Sequence, residues 1–89
     1  MGIEARFEAW RKQNPLRVWR EGQEPQVSRA TVCAVAGVTI NTVVKWEQGS
    51  NIPSDDNMES LAKLMGVPAT ALKDEWQEWL QAAEAVAAN

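Results

Sequence analysis

The sequence has no histidine, no tyrosine, one cysteine and no long apolar run. Each absence removes a class of function. Without histidine there is no imidazole for general acid–base chemistry. With Cys33 as the one thiol, a zinc site has no ligand set. A lone thiol closes no intramolecular disulfide, which fits a reducing compartment. No stretch approaches the roughly 18 apolar residues that a membrane span requires, and the N-terminus lacks the apolar segment of a secretory signal. The expectation is a cytoplasmic chain with no metal, cofactor or small-molecule substrate. Without a Gly-rich phosphate loop or a metal cluster, an enzyme has little to stand on.

What is present fits one domain spanning residues 1–89. Five Trp and one Phe supply the bulk that so small a core needs. The net charge is −3, and it is unevenly spread. Residues 1–52 hold seven basic against five acidic side chains, a balance of +2, whereas residues 53–89 hold two against seven, a balance of −5. The first part suits a polyanion and the second repels one.

The periodicity is helical throughout. Ile3, Phe7 and Trp10 make a stripe on a helix over about 3–12. Asn14-Pro15 ends it and opens a second helix, because Asn caps well and Pro suits the first helical position. That helix buries Leu16 and Trp19. A loop follows from Gly22. Ser28 caps a third helix with Val32, Cys33 and Ala36 inward, and Gly37 stops it in the left-handed conformation. Thr39 opens a helix over about 39–48 that buries Val43 and Trp46 and ends near Gly49. Ser54 caps the next, with Asp55 and Asp56 at the positive end of its dipole. Met58, Leu61, Ala62 and Met65 are its stripe, and a last helix covers about 68–87. The architecture expected is all-α, a bundle of five to six helices.

Residues 28–48 carry the most specific pattern. Arg29, Cys33, Gly37, Val43 and Trp46 stand at fixed intervals, followed by Trp46-Glu47-Gln48-Gly49-Ser50-Asn51-Ile52-Pro53 and the helix from Ser54 to Gly66. This pattern resembles the helix-turn-helix of Cro/C1-type (XRE-like) regulators, over roughly residues 15–72. The resemblance implies a lambda-repressor-like fold and sequence-specific binding to double-stranded DNA, with the helix over about 39–48 in the major groove. Gly37 makes the sharp turn, Cys33 lets the two helices approach, and Val38, Val43 and Trp46 fill the angle between them. Arg29 stands where the family usually has Gln, and the helix over about 3–12 precedes the family's usual first helix.

In that frame the outward residues of the second motif helix are Ile40, Asn41, Thr42, Lys45 and Gln48, with Thr39 at its start. Asn41 can bond an adenine edge through two atoms, Ile40 can pack on a thymine methyl, and Lys45 can reach a phosphate or a guanine. Ser28 and Arg29, at a helix N-terminus, suit a phosphate. Arg17 is a further phosphate candidate or a solvated charge. Glu47 is structural: in the family its counterpart often pairs with an Arg, and Arg20 falls at the matching place. As an exposed pair it would be worth about 1 kcal/mol or less.

Leu72, Trp76, Trp79, Ala83 and Val86 recur at alternating intervals of three and four, and Leu80 widens the stripe. Such a seam either folds onto the chain's own core or joins two copies. The two bulky Trp favour the interface, and a homodimer would suit a palindromic operator. Trp10, Trp19 and Trp46 read as core, with base stacking on single strands the alternative. The leading function is a transcriptional regulator, in particular a repressor of phage or mobile-element type. An activator, a controller protein and an antitoxin fit the same pattern. The competing reading is a protein-interaction adaptor that keeps the fold without binding DNA.

Overall fold

Local signals set where each helix begins and ends. The computed structural model describes residues 2–88, and these form α1 (Ile3–Arg11), α2 (Pro15–Gly22), α3 (Arg29–Ala36), α4 (Ile40–Gln48), α5 (Asp55–Met65) and α6 (Ala69–Ala88). Among the described residues there is no strand. Four helices have a side-chain cap. Asn14 accepts from the Arg17 amide at 3.0 Å, and Ser28, Thr39 and Ser54 accept from the amides of Thr31, Thr42 and Asn57 at 3.2, 3.3 and 3.2 Å. Each cap satisfies one of the amide groups that a helix start leaves unpaired, worth about 1 kcal/mol. Gly37 ends α3 with φ 69° and Gly49 ends α4 with φ 81°, conformations that other residues adopt only with strain.

The core draws on α2, α3, α4, α5 and α6. α3 packs on α4 and α5, while α6 packs on α5, α2 and α1. Leu16, Val32, Val43, Trp46, Met58, Leu61, Ala62, Leu72, Trp76 and Trp79 are buried together. Each large side chain removed from water in this way contributes on the order of 1.5–3 kcal/mol. Lys73 on α6 pairs with Asp55 at the start of α5, Nζ to Oδ1 2.6 Å.

Two expectations change here. Leu72, Trp76 and Trp79, whose bulk favours a seam for a second copy over a fold onto the chain's own core, are covered by the chain itself. They face α1, α2 and α5 rather than solvent, so they offer no surface to a partner. Leu80 and Ala83, from the same stripe, remain half-buried, and Leu80 packs against the core. The stripe on α1 is also shorter than its periodicity suggests. Ile3 is 46% exposed, Phe7 is half-buried, and no residue of α1 is fully buried.

What docks α1 is Trp10. Its indole stacks on that of Trp79, with centroids 4.2 Å apart and planes 6° from parallel. The pair is also joined reciprocally. Trp10 Nε1 donates to the Trp79 carbonyl at 2.6 Å, and Trp79 Nε1 donates to the Trp10 carbonyl at 2.8 Å. Both indole N–H groups are satisfied while the Trp79 ring is buried and the Trp10 ring half-buried against it. The same two rings close over the end of α4. A Cβ built on Gly49 would lie 2.6 Å from Trp10 Cη2 and 3.2 Å from Trp79 Cη2.

Candidate nucleic-acid interface

The left-handed turn at Gly37 sets α4 at an angle to α3 and divides its side chains into two faces. Val43, Trp46 and Glu47 point into the protein and are buried. Asn41, Lys45 and Gln48 are exposed, Ile40 is 48% exposed, and Thr42 is half-buried. The outward residues lie along one side of a short helix whose other side is fully anchored. Such a helix can enter a groove as a rigid unit, since nothing on its outer face is needed to hold it in place.

Glu47 does most of the anchoring. It is 3% exposed and accepts from two arginines. Arg20 Nε donates to Oε2 at 2.8 Å and Arg20 Nη2 donates to Oε1 at 3.0 Å, a two-pronged bond. Arg29 Nε donates to Oε1 at 3.1 Å, and its Nη2 lies 3.0 Å from the same oxygen. Bidentate pairs of this kind fix geometry as well as charge. The hydrogen bonds to Glu47 hold the Arg20 guanidinium above its ordinary pKa, outweighing the opposing effect of burial. Arg20 Nη1 also donates to the Val27 carbonyl at 3.1 Å, and the Val27 amide donates to the Arg20 carbonyl at 3.0 Å. One guanidinium therefore ties α2, the loop before α3 and the last turn of α4. The expected Arg20–Glu47 pair is present, and it is buried: the two side chains are 9% and 2% exposed.

Other expected contact residues are partly committed elsewhere. The Ser28 and Thr39 hydroxyls accept the capping bonds of α3 and α4, and each lies near a second hydroxyl, Thr31 at 3.1 Å and Thr42 at 3.0 Å. Arg29 is held by Glu47 at the inner edge of the face. Arg17 is paired along its own helix, its Nε donating to Glu21 at 3.0 Å. Lys45 has no carboxylate partner among the described residues.

Two roles escaped the sequence reading. Asn14 is fully buried, and its Nδ2 donates to the Trp46 carbonyl at 3.2 Å while its Oδ1 caps α2. One amide thus fixes the start of α2 against the end of α4. An Asn-Pro pair signals a cap, but nothing local announces a second bond 32 residues away. Arg29 as a second clamp on Glu47 was likewise missed, since the sequence shows only that a cation stands at the start of a helix.

No cluster of three or more His, Cys, Asp or Glu that would hold a metal occurs among the described residues, and no helix there is long and apolar enough to cross a membrane. A family model described as helix-turn-helix matches residues 17–72, from the middle of α2 into α6. No curated protein and no solved structure matches the chain.

Proposed function

The chain belongs to the Cro/C1-type helix-turn-helix family of DNA-binding regulators, and from that premise we propose that it binds double-stranded DNA sequence-specifically by seating α4 in the major groove. The observation that carries the reading is the division of α4: Ile40, Asn41, Lys45 and Gln48 face outward while Val43, Trp46 and Glu47 hold the helix from behind. Asn41 reads an adenine edge, Ile40 contacts a thymine methyl, and Lys45 meets a phosphate or a guanine. Ser28 and Thr39 keep hydroxyl oxygens at two neighbouring helix starts, where the backbone favours phosphate. Two copies on an inverted repeat would place two such helices about one turn of DNA apart. Regulation then follows from occupancy of the site, as in a repressor.

A second reading has one observation in its favour. Arg17, Arg20 and Arg29 all bond carboxylates, which leaves Lys45 as the one cation of α3 and α4 without a carboxylate partner among the described residues. A helix-turn-helix so poor in free positive charge suits a protein-interaction adaptor.

Selection from random duplexes at low and moderate salt separates the two. An enriched motif retained at both salts supports DNA recognition, and an inverted repeat within it supports the paired form. Binding should weaken only shallowly with salt, because the slope scales with the number of phosphates neutralised. A folded protein that retains no duplex even at low salt is the adaptor.

A further inference from the structure

Beside the Trp10–Trp79 pair lies a groove of about 610 Å³, walled by α2, the end of α5 and α6. Its volume falls within the range of about 300–1,000 Å³ typical of small-molecule sites. The wall is mainly apolar and aromatic: Trp10, Trp19 and Trp79 contribute indoles, and Val18, Met65 and Val67 contribute aliphatic surface. Val18 is 54% exposed, although a valine on a helix that packs against α6 is the kind of residue a fold normally covers. The charged side chains of the wall are both acidic, Glu75 and Glu78. They stand three apart on α6 and so share a face. Both are exposed, and neither has a cationic partner among the described residues.

From this combination we infer that the groove is a binding site for a small hydrophobic cation, its apolar body against the indoles and its charge beside Glu75 and Glu78. The half-buried indoles of Trp10 and Trp19, together with two carboxylates that no described cation pairs, form a surface that attracts positive charge twice over, through the aromatic rings and through the acids. An anion of the same shape meets only repulsion at the rim. A second copy of this chain seated groove to groove would bring Glu75 and Glu78 against their own counterparts, which disfavours that occupant.

Tetraphenylphosphonium and tetraphenylborate test this directly, being closely similar in shape and opposite in charge. Each is titrated into the full chain without DNA, by calorimetry and by tryptophan fluorescence, so the outcome does not depend on the DNA-binding reading. The cation should bind saturably at one site, about tenfold or more tighter than the anion, the ratio expected for carboxylates acting at a few ångström across partly solvated surface. The double variant Glu75→Gln, Glu78→Gln should bring the two affinities together without changing the melting temperature, since both side chains are solvent-facing. Val18→Arg, which places a cation in the groove, should abolish binding of the phosphonium. Equal affinities for the two ions, binding that does not saturate, or a phosphonium affinity indifferent to both variants would overturn the assignment. Light scattering during the titration covers the remaining case: a doubling of mass on adding the cation would show a site made between copies and would equally refute it.

Discussion

Along α4 the outward side chains are mostly polar, and the helix is held from behind by one buried carboxylate between two arginines. The contact of α1 with α6 is centred instead on aromatic rings. Two indoles stack and exchange hydrogen bonds with each other's backbone. The difference is one of how a failure spreads. A charge network in low dielectric is costly once a buried partner is lost, because the remaining charge has no water to turn to. An aromatic clasp loses area and contacts in proportion to what is removed. The recognition helix therefore depends on a support that tolerates little change, and the appended first helix depends on one that degrades gradually.

The strongest test of that contrast is Glu47→Ala. It strands the buried guanidinium of Arg20 and should cost about 3–5 kcal/mol of stability, read as a large fall in the urea midpoint. A loss below about 1 kcal/mol would mean that the pair behaves as a solvated one, and the contrast fails. Next comes Trp10→Ala, which removes half of the clasp. With a half-buried ring, the expected loss is about 2–3 kcal/mol, below the figure for a fully buried Trp. DNA affinity of the folded fraction should be unchanged, since Trp10 lies outside the outward face of α4. Asn41→Ala reverses the pattern. Stability should stay within about 0.5 kcal/mol of the parent, while binding to the selected duplex weakens by about 1–3 kcal/mol and preference relaxes at one or two positions. Unchanged affinity and preference would show that α4 docks differently. The smallest effect belongs to Arg29→Ala. Its side chain is 40% exposed, so its share of the Glu47 network should be about 1 kcal/mol or less by thermal or urea melting. An Arg29 loss equal to that of Arg20→Ala would show that the two clamps are equivalent and that burial does not rank them.

How much of this was legible in the sequence follows the range of each interaction. Asn14, Ser28, Thr39 and Ser54 cap the helices as their positions suggest, because a cap is decided within three residues. Gly37 and Gly49 stop helices for equally local reasons. The partnership of Arg20 with Glu47 was readable through the family pattern, but its burial was not, since burial depends on how distant parts of the chain pack together. On α6 the spacing of Leu72, Trp76 and Trp79 identified the apolar face correctly. Periodicity says which face avoids water and is silent on what covers it, and here the cover is the chain itself. Ile3 illustrates the converse, an apolar residue in register with its stripe at the first position of α1 and yet 46% exposed. The outward set on α4 was legible because three inward residues fix the remainder by geometry.

The indoles closed over Gly49 have a consequence for variation at that position. A left-handed helix end commonly accepts Asn in place of Gly at modest expense. Here any side chain at position 49 would have to displace Trp10 first. A side chain at position 49 therefore requires a change at position 10, whereas position 10 can change while Gly49 stays. Among relatives that keep a Trp pair between the first and last helices, position 49 should be confined to Gly, whereas in those without the first helix Asn should appear there. An appendage outside the motif thus restricts the spelling of the motif itself.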